Sequence, residues 1–289
     1  MERHASNIKR AVIVGGGLIG IEMAEMFHSR HIPVTILVRE KSFWNSVLPP
    51  EESEMVNRVI RKNGIDLRLQ TELENILDEN NDSLVDSITT KSGEKINCQF
   101  VGLTVGVSPN VDFLKNSDLN INRGILVNDY LETNIIDVYA IGDCAEIQNP
   151  YETRKAIEAV WYTGRMMGET VATTICIEKT KYNPGIWFNS AKFLDIEYQV
   201  YGNIQTKPDE QTAQIYWEDA KTSERAIRIQ FDKNSRAVLG FNLMGVRYRH
   251  EVCEKWIANK TSIEQVLQNL SLANFDPEFY RQPEAELIA

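Results

Sequence analysis

Four cysteines in 289 residues, with no CxxC pair among them, leave little from which to build a disulfide framework or a structural zinc site. Cys98, Cys144, Cys176 and Cys253 lie far apart, so a reduced, cytoplasmic setting is expected. Cations are also in short supply: 31 Lys and Arg stand against 41 Asp and Glu, a formal charge of -10, and they are scattered among the acids. Nucleic acid and anionic membranes need a concentrated basic face, so neither is expected as a main partner. No apolar run reaches the roughly 20 residues that span a bilayer. The opening MERHASNIKR is charged but is not followed by the apolar stretch of a secretory signal. Internal repeats and low-complexity segments are absent as well.

What remains, 43% apolar and 25% charged residues, is the composition of a globular protein, long enough for two or three domains. Strand and helix signals alternate from residue 11: AVIV, a helix over Leu18 to Ser29, PVTILV, a helix over Glu51 to Asn63, and a strand over Ile65 to Leu69. That β-α-β-α-β order calls for a parallel sheet with right-handed crossovers. Leu73 to Cys98 reads as a short antiparallel meander. Next come strands in FVGLTVG, GILVN and DVYAIGD and a helix from about Thr153 to Ile177. Beyond the breaker Tyr182-Asn183-Pro184-Gly185, four strand-like runs and two helices (about Arg249 to Asn259 and Ser262 to Leu270) form an α+β segment.

Residues 15 to 20, GGGLIG, read G-x-G-x-x-G between the first strand and the first helix. A helix that starts directly after a strand leaves its first N–H groups unpaired and its positive dipole end exposed, which suits a pyrophosphate. Gly15 would make the tight turn, Gly17 admit the phosphates and Gly20 let helix and strand pack closely, with Gly16, Leu18 and Ile19 completing the loop. Inside a βαβ unit the motif is a strong signal for a dinucleotide. An acid at the end of the second strand would bond the adenosine ribose of NAD, and an Arg there would accept the 2′-phosphate of NADP. Arg39-Glu40 offers both, with NAD slightly favoured. Glu40 is either the ribose ligand or a solvated partner of Lys41 or Arg39. Glu22 is expected along the edge of a buried stripe formed by Ile19, Met23, Met26 and Phe27; it either answers the helix dipole or faces the nicotinamide.

Five motifs then stand in order: GGGLIGIE, TVGVSPN, RGILVNDYLET, DVYAIGD and WYTGRMMGETVA. With these, residues 8 to 205 closely resemble the pyridine nucleotide:disulfide oxidoreductases, flavoproteins with two dinucleotide sites, especially their rubredoxin reductase and nitrite reductase-like branch. The resemblance implies an α/β fold in three parts. Residues 1-104 would be a Rossmann-like NAD(P)-binding domain, 105-182 the C-terminal segment of an FAD-binding domain, and 183-289 an α+β interface or dimerisation domain. It also implies that Gly15 to Glu22 serve NAD(P)H and that the chain returns to the FAD domain around Gly106. Gly142-Asp143 would hold the FAD ribitol, Trp161 to Gly164 the flavin ring, and Glu22 would stand beside the nicotinamide.

In that family another G-x-G-x-x-G, in a preceding segment of about a hundred residues, a usual domain size, grips the FAD pyrophosphate. Only the second FAD segment is expected here, and the family's redox cysteines fall in the other part. Cys144 reads as a small buried residue. His250 and Cys253 share a helix face, but two ligands without partners point to a core or interface role, and no metal site is expected. The expected function is FAD-dependent NAD(P)H oxidation with electrons passed to an acceptor, which could be a protein. The alternative is a non-redox NAD(P)-binding module completed by another polypeptide.

Overall fold

The strand Ala11–Val14 (β1) carries no polar side chain, and its first three residues are buried. A strand apolar on both faces belongs at the centre of a parallel sheet. In the computed structural model, which describes residues 8–151, 154–275 and 284–288, β1 pairs in parallel with β2 (Val34–Val38) on one side and β7 (Phe100–Leu103) on the other. A fourth strand, β3 (Asp66–Leu69), extends the sheet to the order β3-β2-β1-β7. The chain forms two compact units, residues 1–106 with 190–289, and residues 107–189.

Helix α1 (Leu18–His28) buries Gly20, Ile21, Ala24 and Phe27. The stripe expected from the sequence is therefore rotated: Ile19 is 50% exposed and Glu22 faces solvent. The close approach of Gly20 to the strand turn sets this rotation, and Phe27 anchors it against Phe100 of β7, with ring centroids 4.7 Å apart. Helix α2 (Pro50–Lys62) opens on a proline with Glu51 and Glu52 in its first turn and ends on Arg61 and Lys62, charges that complement the helix dipole. The meander is as expected: β4 (Leu73–Leu77), β5 (Ser87–Thr90) and β6 (Lys95–Asn97) form an antiparallel sheet. Its apolar face, Ile88, Ile96 and Cys98, packs on Val12 and Leu37. Burial there pushes the Cys98 thiol up to about 11, where it is inert as a nucleophile.

The five-stranded sheet of this unit has the order β10-β11-β14-β13-β12, from β10 (Phe188–Phe193), β11 (Ile196–Gly202), β12 (Thr212–Glu218), β13 (Ala226–Asp232) and β14 (Val238–Met244). It holds five strands instead of the four runs read from the sequence: the added strand is FNSAKF, ahead of the first run, and Leu194, with a left-handed backbone (φ 55), turns the chain from it into IEYQVYG. Two helices follow, α4 (His250–Ala258) and α5 (Ile263–Gln268), then α6 (Glu284–Ile288). His250 lies edge-on to Tyr201, 5.2 Å between centroids, while Cys253 is fully buried with its thiol pushed up by burial. Among the described residues no group of His, Cys, Asp and Glu could hold a metal ion.

One buried cluster joins helix α2 to the five-stranded sheet. Arg228 on β13 donates from Nε and Nη2 to the two carboxylate oxygens of Glu52 at 2.7 and 2.8 Å, and from Nη2 to Glu51 at 2.7 Å. Asn242 adds a bond to Glu52, Gln214 accepts from Arg228, and the guanidinium lies 4.4 Å from the Tyr216 ring centroid. The Glu52 side chain is wholly buried, so its charge is tolerated only because these donors replace water.

In the other unit β8 (Ile125–Val127) pairs in parallel with β9 (Ala145–Ile147), and both pack beside helix α3 (Trp161–Cys176). DVYAIGD is not the strand expected. A left-handed residue, Asp137 (φ 62), turns the chain, a single bridge joins Tyr139 to Glu132, and Gly142–Cys144 is a 3-10 turn. The helix expected from Thr153 begins only at Trp161; Thr153 itself lies outside the described residues. Arg154 keeps the preceding stretch out of the helix: it pairs with Glu158 at 2.5 Å and donates to the carbonyl of Pro184 at 2.9 Å. Among the described residues no helix is long and apolar enough to cross a membrane.

Candidate dinucleotide site

The carboxyl ends of β1, β2, β3 and β7 surround a pocket of about 540 Å³. Ligands of open parallel α/β sheets bind at this end. Its floor is the glycine turn. Gly15 has φ +123, and a Cβ there would fall 2.3 Å from the carbonyl oxygen of Thr104, so this position excludes a side chain twice over. A Cβ on Gly20 would meet the carbonyl oxygen of Gly15 at 2.6 Å, which is how helix α1 comes so near the strand. Gly16 backs onto Val38, 2.8 Å from where its Cβ would be. Gly17 differs: a Cβ there would touch nothing within 4 Å.

Gly17 is also the N-cap of α1 and no side chain caps this helix end. The first turn holds no acid. Ile21 N–H returns to the carbonyl of Gly17 at 3.1 Å, so the N–H groups of Leu18 and Ile19 precede the first intrahelical bond and are left for an anion. Leu18 is half-buried and Ile19 points outward.

Glu40 and Arg39 both line the pocket, but they also pair: Arg39 Nε and Nη2 donate to Glu40 Oε1 at 3.1 and 2.8 Å. The hydrogen bond and charge of Glu40 hold the Arg39 guanidinium more firmly in its charged form. Glu40 Oε2 has no partner among the described residues. Across the pocket Glu72, hydrogen-bonded by Lys91 at 2.7 Å, is held below the usual carboxylate range by that bond. Gly106 (φ +116) is the exposed last lining residue. Thr104, the first residue of the TVGVSPN motif, fastens the rim: its N–H and its hydroxyl both donate to the Val14 carbonyl, at 2.8 and 2.9 Å. Trp44, Asn45 and Ser46 also line the pocket and were invisible in the sequence, which carries no periodic signal in that loop. A separate cleft of about 470 Å³ near the amino ends of the strands is lined by Lys9, Arg10, Arg68 and Lys95, of which Arg68 pairs with Asp66 and Lys95 with Glu79.

Glu22 faces solvent on α1, in the unit that holds the pocket, and is not a lining residue of it. Gly142 and Asp143 lie in the other unit. There the N–H of Gly142 (φ +74) approaches Met167 Sδ at 3.4 Å, and a Cβ on Gly164 would lie 3.5 Å from the Cα of Gly142, so helix α3 backs the turn closely. Asp143 is exposed and its carboxylate has no partner among the described residues. The neighbouring Cys144 is half-buried, its thiol near the Ile141 carbonyl at 3.7 Å.

A parallel sheet with a glycine turn, an uncapped helix and an acid at the end of β2 is the arrangement found in dinucleotide-binding folds. The family model for pyridine nucleotide-disulphide oxidoreductase matches residues 1–168, and the chain belongs to that family. The rubredoxin-NAD(+) reductase of Acinetobacter baylyi is 34% identical over 166 residues, 56% of this chain and 42% of that protein. The nitric oxide reductase FlRd-NAD(+) reductase of Escherichia coli K12 is 35% identical over 146 residues, 50% of this chain and 38% of its own length. The chain thus matches less than half the length of these curated relatives. In fold it is similar to an FAD-dependent pyridine nucleotide-disulphide oxidoreductase from Desulfovibrio vulgaris, at 19% identity and TM-score 0.77, covering 98% of this chain and 72% of that one. A NAD-dependent persulfide reductase from A. fulgidus superposes with TM-score 0.77 at 20% identity, over 92% of this chain and 52% of that one.

Proposed function

We propose that the protein is the NAD(P)H-binding part of an FAD-dependent oxidoreductase that passes electrons to an acceptor, as the rubredoxin-NAD(+) reductase it resembles is named for doing. The observation that carries this reading is the uncapped start of α1, open above Gly17, inside a pocket at the carboxyl ends of parallel strands. Residues 1-104 then serve the nicotinamide nucleotide, 105-182 contribute to the flavin site, and 183-289 form an interface segment.

Each residue's part follows from its chemistry. The N–H groups of Leu18 and Ile19 donate to the pyrophosphate, and Glu40 Oε2 accepts from the adenosine ribose. Glu22, on the solvent side of α1, shapes the approach to the nicotinamide. Asp143 accepts hydrogen bonds from the ribitol hydroxyls, a task that its exposed, unpaired carboxylate fits. Nicotinamide and flavin supply the hydride-transfer chemistry when bound, and the protein aligns them and excludes water.

With its one cation at the ribose position already paired to Glu40, the site favours NADH over NADPH. Titration of the full chain with each nucleotide should show tighter binding of NADH. Glu40→Ala should narrow that preference by about two- to fivefold, the range of an exposed ion pair. Binding of neither nucleotide sinks the proposal, and unchanged NADH binding in Glu40→Ala removes Glu40 from the site.

Among the described residues, no second glycine turn opening a helix is available to grip a flavin pyrophosphate. That favours a second reading, a nicotinamide-binding module whose redox activity needs another polypeptide segment. Colour separates the two. A bound flavin spectrum bleached by NADH supports the enzyme, whereas colourless protein that binds NADH supports the module.

A further inference from the structure

Trp44 lies in the loop after β2, four residues beyond Glu40, and lines the same pocket as the glycine turn. Its backbone is left-handed, φ 52, a conformation that costs a bulky L residue energy and persists only where the surroundings enforce it. The enforcement comes from two directions. On the α2 side, Phe43 N–H donates to Asn57 Oδ1 at 3.0 Å and Ser53 Oγ donates to the Phe43 carbonyl at 2.5 Å. On the other side, the indole meets Phe193 of β10 at 5.6 Å and Tyr198 of β11 at 5.8 Å between centroids, both fully or almost fully buried. The loop carbonyl is used as well, since the N–H groups of Val47 and Leu48 both return to Trp44 O at 3.0 Å. Even so, the tryptophan is only half-buried.

A strained, doubly braced aromatic with part of its surface open to a pocket is built to present that surface. Within the pocket its position is on the β2 and β3 side of the glycine turn, the side where Glu40 meets the adenosine ribose. We infer that Trp44 is the wall against which the adenine base of the dinucleotide packs, held in place by Phe193 and Tyr198 of the C-terminal sheet. The inference rests on the nucleotide reading of the site and adds to it a base-recognition residue and a structural task for the C-terminal sheet.

Calorimetric titration of the full chain with NADH and with ADP-ribose, which keeps the adenine and pyrophosphate and lacks the nicotinamide, tests it. Trp44→Leu should lose about tenfold in affinity for both ligands, and Trp44→Phe should stay within about threefold of native, as base stacking on an aromatic ring requires. ADP-ribose should also quench native tryptophan fluorescence, and Trp44→Phe should lack that part of the quenching. If Trp44→Leu binds ADP-ribose within about twofold of native, the inference is overturned. Should Trp44→Leu not fold, the fluorescence decides: equal quenching in native and Trp44→Phe protein overturns it, and loss of quenching upholds it. A native chain that binds neither ligand overturns the nucleotide reading first, and this inference with it.

Discussion

Gly15 and Gly17 are glycines for opposite reasons, and substitution should separate them. At Gly15 the backbone itself is left-handed and a Cβ would collide with Thr104, so Gly15→Ala should destabilise the fold by at least about 1 to 3 kcal/mol. At Gly17 the backbone is extended, φ -123, and there is open space. Gly17→Ala should therefore leave stability unchanged or raise it by about 0.4 to 1 kcal/mol, while NADH affinity falls because the methyl stands where the phosphates approach. Thermal melting read beside nucleotide titration checks both, and a Gly17→Ala protein with native NADH affinity would show that the ligand does not lie over that residue. These roles could be read from the sequence because the spacing of Gly15, Gly17 and Gly20 encodes a local geometry. Trp44 could not, since its importance depends on a backbone angle and on rings brought to it by distant strands. Glu22 illustrates an intermediate case: helical period alone could not tell which of two adjacent stripes of α1 would be buried, because the tie-breaker was the close approach of Gly20.

At the level of elements, helix α2 is held to the C-terminal sheet by a buried charge pair instead of by apolar packing alone. Removing one partner of such a pair strands the other without water. Arg228→Ala should cost about 3 to 5 kcal/mol, whereas the double change Glu52→Leu with Arg228→Met should recover much of that loss. Denaturant melts of the single and double variants measure the difference, and additive effects would contradict the coupling. Strands buried on both faces, such as β1 and β2, and the alternating meander announced themselves through their patterns. DVYAIGD did not: it is apolar enough for a strand, but the positive φ at Asp137 and the 3-10 turn at Gly142–Cys144 break it in ways that composition does not record. The late start of α3 has a similar origin, because the Arg154 contacts with Pro184 and Gly185 join residues thirty or so apart in sequence.

For the whole molecule, two units of unequal construction share one chain. The unit of residues 1–106 with 190–289 has a four-stranded, a three-stranded and a five-stranded sheet with many fully buried side chains. The unit of residues 107–189 has a two-stranded parallel sheet and one long helix, and Phe113, Ile136, Trp161 and Ile177 are all more than half exposed. Hydrogen exchange should follow that inequality, with slowest exchange in β1, β2, β13 and β14 and markedly faster exchange in β8 and β9. Equal protection across both units would contradict it. A change of character after Tyr182 to Gly185 was readable in the sequence. That residues 190–289 complete the first unit was not, because the contacts responsible, Arg228 with Glu52 and Phe193 with Trp44, pair side chains from opposite ends of the chain.

Those same two contacts bear on how this protein could be taken apart or recombined. Nucleotide-binding domains are often treated as cassettes, cut out at the last strand of the parallel sheet and moved to another host. Here the seam runs elsewhere: a cut after Gly106 would leave α2 with an acid that has lost its base and the loop after β2 with a tryptophan that has lost its brace. A transplanted site that keeps its ligand grip must carry the far sheet with it, so the smallest portable form of this pocket is discontinuous in sequence.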